Sequence, residues 1–457
     1  MDRLFNTAAY LEAARMPEDR ARRICNIVLL SDGTGNSSAK LFKTNVWRLY
    51  KALDLVDPQD PKHPRQVAFY DDGVGTSTFR PLALLGGAFG YGLARNVREI
   101  YAFLCRTYRP GDRIYCFGFS RGAFTIRIVT GLILNQGIVK YNGNEADLAR
   151  NVRAAYREYR RERHSRRVQL LTWLRPLRDL GIRAWHRLNG IGPSMDYRMS
   201  DNMPVGRVEF VGVWDTVDAY GLPIEELARA IDRFILPLSM ADPDLHPKVQ
   251  RARHALALDE QRQTFHPRLW NEDTEKEKDE DRIRQVWFAS VHSDVGGGYP
   301  DDGLAHVTLS WMISELKAAD SDRGPLALRL RPKAEAQIHS RADENAPLHD
   351  PRRGFASYYR YRPRDIEILR NQEPNRSSPY SVKLRTPVIH QSALRRIRIG
   401  QDGYAPISST LDFRVAMVGG GYQPAATETD STNTSSPEDF AAGRQGVFNF
   451  VWWRRVT

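Results

Sequence analysis

The chain has 457 residues, 41% of them hydrophobic, which suits one large domain with insertions, or two domains, and allows a sizeable core. Nothing in it approaches the roughly 18 consecutive apolar residues of a membrane-spanning helix, and no apolar run with a cleavage site opens it, so neither a spanning helix nor a secretory signal is expected. The net charge of +12 is concentrated between Arg150 and Arg187, where twelve arginines face only Glu158, Glu162 and Asp179; this argues against a globally basic nucleic-acid binder.

Three cysteines, Cys25, Cys105 and Cys116, sit in apolar surroundings without metal-ligand spacing. They read as reduced core residues, as expected of a cytoplasmic protein, peripheral to a membrane or exported without a signal peptide. No cofactor or metal is expected from these patterns.

Residues 1–23 read as a polar helical lead-in. Ile24 to Leu30 form an apolar strand that ends in the loop Ser31-Asp-Gly-Thr-Gly-Asn36. Asn45 to Leu55 read as a helix, with Val46, Leu49 and Leu53 spaced along one face. Gln66 to Tyr70 form a second strand. Leu93 to Tyr108 are an amphipathic helix with Val97, Ile100, Tyr101 and Leu104 on one side. A third strand, Ile114 to Phe117, runs into Gly118-Phe-Ser-Arg-Gly122, and a helix from Ala123 to Leu134 follows at once. Strands alternating with helices predict an α/β fold: an α/β-hydrolase-like, mostly parallel sheet flanked by helices, with function at the C-terminal ends of the strands.

A basic helical insertion occupies residues 140–205. Its arginines either are solvated or form a cationic amphipathic surface for anionic lipid. The core resumes with a strand from Arg207 that ends at Asp215. Ile231 to Met240 and Arg251 to Leu258 look helical. Glu272 to Asp281 form a charged loop. The strand Arg284 to Val291 leads into His292-Ser-Asp-Val-Gly-Gly-Gly-Tyr299, and Leu304 to Ala318 form a helix. The core domain is thus expected over 24–320, a C-terminal extension packed on it over 321–425, and a linker with an aromatic, basic tail over 426–457.

Strand, G-x-S-x-G and helix in that order form the context of a nucleophile elbow, with Gly118 and Gly122 removing clashes around Ser120. A P-loop is disfavoured, because the segment lacks the G-K-[ST] ending. A serine alcohol needs a base, and the base needs a carboxylate to orient it. The order Ser120, Asp215, His292 supplies all three at successive strand ends. Asp218 competes with Asp215; His254, His266 and His390 compete with His292; and Asp294 is a possible acid or metal ligand. The Arg121 N–H and the loop of Gly33 and Thr34 are candidate oxyanion donors. Asp32 has no role in that scheme beyond bracing the loop. The same loop is similar to the D-x-D-G-T loop of aspartyl phosphatases, but Leu30 stands where their nucleophile would be.

The four motifs Ser31-Asp-Gly-Thr-Gly-Asn36, Gly118-Phe-Ser-Arg-Gly-Ala-Phe-Thr125, Gly212-Val-Trp-Asp-Thr-Val217 and Val291-His-Ser-Asp-Val-Gly-Gly-Gly-Tyr299 together resemble the catalytic domains of type VI secretion phospholipase effectors of the Tle class. Weaker echoes are Asp259-Glu260 with Phe265-His-Pro267, and Ile389-His-Gln-Ser392. The resemblance spans roughly residues 24–415. It implies a Ser–Asp–His hydrolase at Ser120, Asp215 and His292, and for the effectors hydrolysis of phospholipid esters. Expected partners are a lipid or other ester substrate and an anionic membrane surface. The alternative is a non-catalytic module that binds a membrane or a partner through the basic insertion and the Trp452-Trp453 tail.

Overall fold

The computed structural model describes residues 24–33, 41–56, 65–73, 87–164, 197–217, 243–273, 281–321, 327–353, 357–372, 381–406, 413–417 and 422–424. The apolar runs between turn signals become strands β1 (Asn26–Ser31), β2 (Gln66–Asp71), β3 (Arg113–Phe119), β4 (Val208–Trp214), β5 (Val249–Ala257) and β6 (Ile283–Phe288). A short antiparallel pair follows, β7 (Asn371–Gln372) and β8 (Val382–Lys383), and then β9 (Val388–His390), β10 (Arg414–Ala416) and β11 (Tyr422–Pro424).

The central sheet has nine strands in the order β11-β10-β9-β6-β5-β4-β3-β1-β2. Every neighbouring pair is parallel except β10 with β11. Strands of such a sheet are buried on both faces, so they read as continuous apolar runs rather than alternating ones. On one face, Ile27, Leu29, Ile114 and Cys116 pack against the helices Gly87–Thr107 and Arg121–Gln136. On the other, Val28, Leu30, Tyr115 and Phe117 pack against Asn45–Ala52 and Gly303–Asp320. Adjacent residues of one strand thus serve opposite layers.

Two expectations change. The segment Arg251 to Leu258 is strand β5, not a helix. Its arginine, alanine and leucine content favours a helix in isolation, but pairing with β4 and β6 on both sides overrides that preference. The charge of Arg253 is matched in the interior by Glu315 at 2.5 Å. The segment 321–425 does more than pack on the sheet: β9, β10 and β11 extend it beyond β6. Strands of three residues are too short for a period-2 pattern to register.

Within the basic insertion the main described element is the helix Glu145–His164, whose Val152, Ala155 and Tyr156 are buried in the core. The rest of its helical stretch (165–196), the expected helix at 231–240, Asp218, Thr34, the lead-in and the tail lie outside the described residues. All three cysteines are buried and unbridged, and burial pushes the Cys105 and Cys116 thiols up to about 12. Among the described residues no helix is long and apolar enough to cross a membrane.

Candidate active site

Ser120 stands between β3 and the helix Arg121–Gln136 with φ 58° and ψ −123°, a conformation that L-residues rarely adopt. Its amide donates to the Trp214 carbonyl at 2.9 Å, which ties the turn to the end of β4. A Cβ on Gly118 would lie 2.7 Å from Ala123 Cα, so this glycine lets the helix double back on the strand. The Arg121 amide belongs to the first turn of a sixteen-residue helix, where the dipole favours negative charge.

Asp215 directly follows β4, with φ 41°, and is buried. His292 follows β6 and opens the short helix His292–Gly296. A Cβ on Gly296 would lie 2.0 Å from the Phe119 ring, so glycine there lets this helix rest directly beside the serine turn. The three side chains meet across the strand ends. Ser120 Oγ lies 2.8 Å from His292 Nε2, and His292 Nδ1 lies 2.6 Å from Asp215 Oδ2. The imidazole is held between the Phe119 ring, centroids 4.8 Å apart, and the edge of Phe265 at 4.9 Å.

Burial alone would raise the Asp215 carboxyl, but the charge of Arg364 and hydrogen bonds from His292 and Arg364 hold it well below the usual carboxylate range. Burial lowers His292, and this outweighs the opposing pull of Asp215. The site thus pairs an ionised carboxylate with a neutral imidazole, the arrangement needed to accept a proton from a hydroxyl.

The surrounding residues fix this pair. Asp215 Oδ1 accepts the Ala257 amide at 3.1 Å and the Arg364 guanidinium at 2.6 Å, and Oδ2 accepts the same guanidinium at 2.8 Å. His254 Nε2 accepts the Thr216 amide at 3.1 Å, and burial lowers His254 to about 3. Glu260 Oε2 accepts the backbone N–H of His292 at 3.2 Å, while its other oxygen takes Arg262 Nε at 2.7 Å. Asp259 takes the Ser290 amide at 2.8 Å and the Tyr404 hydroxyl at 3.0 Å. The Asp259-Glu260 pair therefore pins both residues flanking Val291. Arg364 carried no sequence signal at all.

The other candidates find different partners. His254 serves the backbone of the Asp215 turn. His266 Nε2 lies 3.1 Å from the Arg362 carbonyl. His390 is buried against Phe288 with Nδ1 2.8 Å from Ser392 Oγ. Asp294 Oδ1 pairs with His349 Nδ1 at 2.6 Å, and that ring stacks on Tyr299. Asp32 accepts the hydroxyls of Thr44 and of Tyr70, the latter at 2.7 Å, and burial pushes it up to about 6. It also takes the Gly33 amide at 2.7 Å, so the N–H expected to face an oxyanion is committed to the loop's own carboxylate. Among the described residues no group of three or more His, Cys, Asp or Glu side chains could hold a metal ion.

Comparison with known proteins places this geometry in context. Residues 25–315 match the family described as T6SS phospholipase effector Tle1-like, catalytic domain. An uncharacterized protein of Saccharomyces cerevisiae is 26% identical over 253 residues, which cover 52% of this chain and 32% of that protein. Among solved structures, an uncharacterized protein from Pseudomonas aeruginosa is 18% identical with a TM-score of 0.35, covering 74% of this chain and 52% of the other. The Tle1 effector bound to the VgrG spike from the Type 6 secretion system is 18% identical with a TM-score of 0.31, covering 62% of this chain and 52% of the other. The chain thus spans about half of each of these solved chains and about a third of the Saccharomyces protein.

Proposed function

The chain belongs to the Tle1-like catalytic-domain family of type VI secretion phospholipase effectors, and from that premise we propose that it hydrolyses carboxylic esters of lipids, phospholipids foremost, with Ser120 as nucleophile. The observation that carries the reading is the continuous hydrogen-bond chain from Ser120 Oγ through His292 to Asp215, at 2.8 and 2.6 Å.

In this reading Ser120 Oγ attacks the acyl carbonyl while its proton passes to His292 Nε2. Asp215 holds the Nδ1–H tautomer and stabilises the imidazolium that forms. The Arg121 N–H at the helix N-terminus binds the developing oxyanion. Because Asp32 already holds the Gly33 amide, we assign the second oxyanion contact of the Gly33–Thr34 loop to Thr34. One such donor is worth about 10²–10³ in rate. His292 then returns the proton to the leaving alcohol, and water attacks the acyl-enzyme by the same route in reverse.

Access to an aggregated lipid substrate calls for a surface. Arg150, Arg153, Arg157 and Arg161 are exposed on the helix Glu145–His164 at spacings that place them along one side. The opposite side is the one buried in the core. We assign to this cationic stripe the contact with anionic membrane.

The deciding experiment incubates wild type and Ser120→Ala with mixed phospholipid vesicles and identifies the products by mass spectrometry. Wild type is expected to release fatty acid and lysophospholipid, and the variant none. Equal product from both would sink the assignment.

A further inference from the structure

We propose that Arg364 is a positioning residue of this site: by gripping both oxygens of Asp215 it fixes the carboxylate toward His292 and offsets its charge, so that His292 stays a neutral base. The proposal rests on the hydrolase reading and deepens it.

The Arg364 side chain is 0% exposed, as is that of Asp215. Besides its two bonds to Asp215 it donates to the carbonyls of Ala257, at the end of β5, and of Phe265. A planar fork with five donors can satisfy four acceptors in this way; an ammonium cannot. The arginine is delivered by backbone pairing. The Gln263 amide donates to the Arg360 carbonyl at 3.0 Å, the Arg362 amide to Gln261 at 2.8 Å, and the Arg364 amide to Glu260 at 3.3 Å. The strip that carries Arg364 thus runs beside the strip whose Glu260 holds the His292 backbone.

The charges around His292 are matched in pairs. Two carboxylates touch it, Asp215 at its ring and Glu260 at its amide, and each is held by an arginine, Arg364 and Arg262 respectively. Asp294, on the helix of His292, is paired with His349. From β5, His254 faces the Asp215 turn and is neutral at ordinary pH. Burial lowers the His292 pKa, and the paired carboxylates do not offset that lowering. Removing the Arg364 cation would leave the Asp215 anion to favour imidazolium, and the His292 pKa would rise. Arg364 lies beyond residues 25–315, the part that matches the family.

The test uses the full chain as wild type, Arg364→Lys and Arg364→Met. Folding is checked by thermal melting, and active sites are counted with a fluorophosphonate probe. Rates per counted site are measured on a p-nitrophenyl ester across pH, and His292 is titrated by NMR without substrate. Arg364→Lys is expected to lower kcat about 10–100-fold with KM within a factor of about three, as loss of an orienting contact does. In Arg364→Met, which removes the cation as well, the acidic limb of the rate profile and the NMR titration are both expected to move to higher pH. Wild-type kcat per site with an unmoved His292 titration overturns the proposal; so does a loss of activity that follows only the number of countable sites. If Arg364→Met does not fold, Arg364→Lys decides alone by its kcat per site, since it keeps the charge but loses the two-pronged grip on Asp215. If wild type cleaves no ester, the hydrolase reading fails, while the NMR titration still decides whether Arg364 controls His292.

Discussion

The carbonyl oxygen of Ser31 lies 2.1 Å from the point a β-carbon on Gly122 would occupy, and that of Asp32 lies 2.5 Å from it. The second glycine of the serine turn is therefore pressed onto the backbone at the end of β1. The turn and the end of β1 share one tight contact, which fixes the serine turn against the Ser31 and Asp32 carbonyls.

Gly122→Ala must push that backbone apart, because a carbonyl at such a distance cannot yield as a flexible side chain would. Overpacking of this kind costs about 1–3 kcal/mol or more, and the rate per folded molecule should fall with it. Gly206, where an added Cβ meets nothing within 4 Å, is the control. Gly206→Ala should stay within about 0.5 kcal/mol of wild type with full activity. Thermal melts and site-normalised ester hydrolysis of the two variants check the contrast.

The buried histidines should separate by function. His292→Ala is expected to lose hydrolysis and fluorophosphonate labelling together. His390→Ala removes a ring packed on Phe288 and bonded to Ser392; it should lower the melting temperature while each remaining site works at the normal rate. His254→Ala leaves the buried Thr216 amide without its acceptor. That costs about 1–3 kcal/mol and also loosens the Asp215 turn, so stability and rate per site should both fall. A normal rate per site in His254→Ala would show that the turn holds Asp215 without it.

Much of this was legible in the chain. Ser120, Asp215 and His292 each follow an apolar strand, and parallel strands bring their ends to one edge whatever the loops do. β5 was not legible, because alanine, leucine and arginine favour a helix until two neighbouring strands take up the backbone. Arg364 was not legible either: it is one of three arginines at 360, 362 and 364, and only the pairing with residues 260–263 decides which of them reaches Asp215. Asp32 was read in the sequence as no more than a brace for its loop, and its bonds to Thr44, Tyr70 and Gly33 are those of a brace.

The pH dependence follows from the sign of the His292 shift. Burial holds the imidazole below its ordinary value of 6.5, so the base form persists at lower pH than in a free histidine. Activity should rise with pH on the acidic side, with an inflection in kcat/KM below 6.5, and then level off. A plot of log kcat/KM against pH for a soluble ester measures this. An inflection clearly above 6.5 would mean that the Asp215 charge, not burial, controls the histidine.

The cationic stripe predicts binding that depends on salt. Neutralising Arg150, Arg153, Arg157 and Arg161 to Gln should weaken co-sedimentation with vesicles rich in anionic lipid, since a basic residue near such a surface is worth about 1 kcal/mol. Hydrolysis of a soluble ester should be unchanged, because the four arginines lie on the exposed side of the helix, opposite the side buried in the core. Wild-type binding should itself weaken as salt rises toward about 0.5 M. Vesicle binding that is insensitive both to salt and to the four substitutions would remove this stripe from the interface.

Ending the chain after Asp320 should abolish both folding yield and activity, although the family match stops at residue 315. Such a truncation leaves β6 as a sheet edge, with Val286 and Trp287 losing their β9 partners Val388 and Ile389. An exposed apolar edge of this kind invites aggregation. It also strips Asp215 of Arg364, and a buried carboxylate that loses its cation costs about 3–5 kcal/mol. Asp259 would lose the Tyr404 hydroxyl as well, and with it part of the hold on Ser290 just before His292. Soluble expression and fluorophosphonate labelling of residues 1–320 beside the full chain measure the effect. A soluble truncated protein that labels at the normal rate would show that the sheet extension and Arg364 are both dispensable.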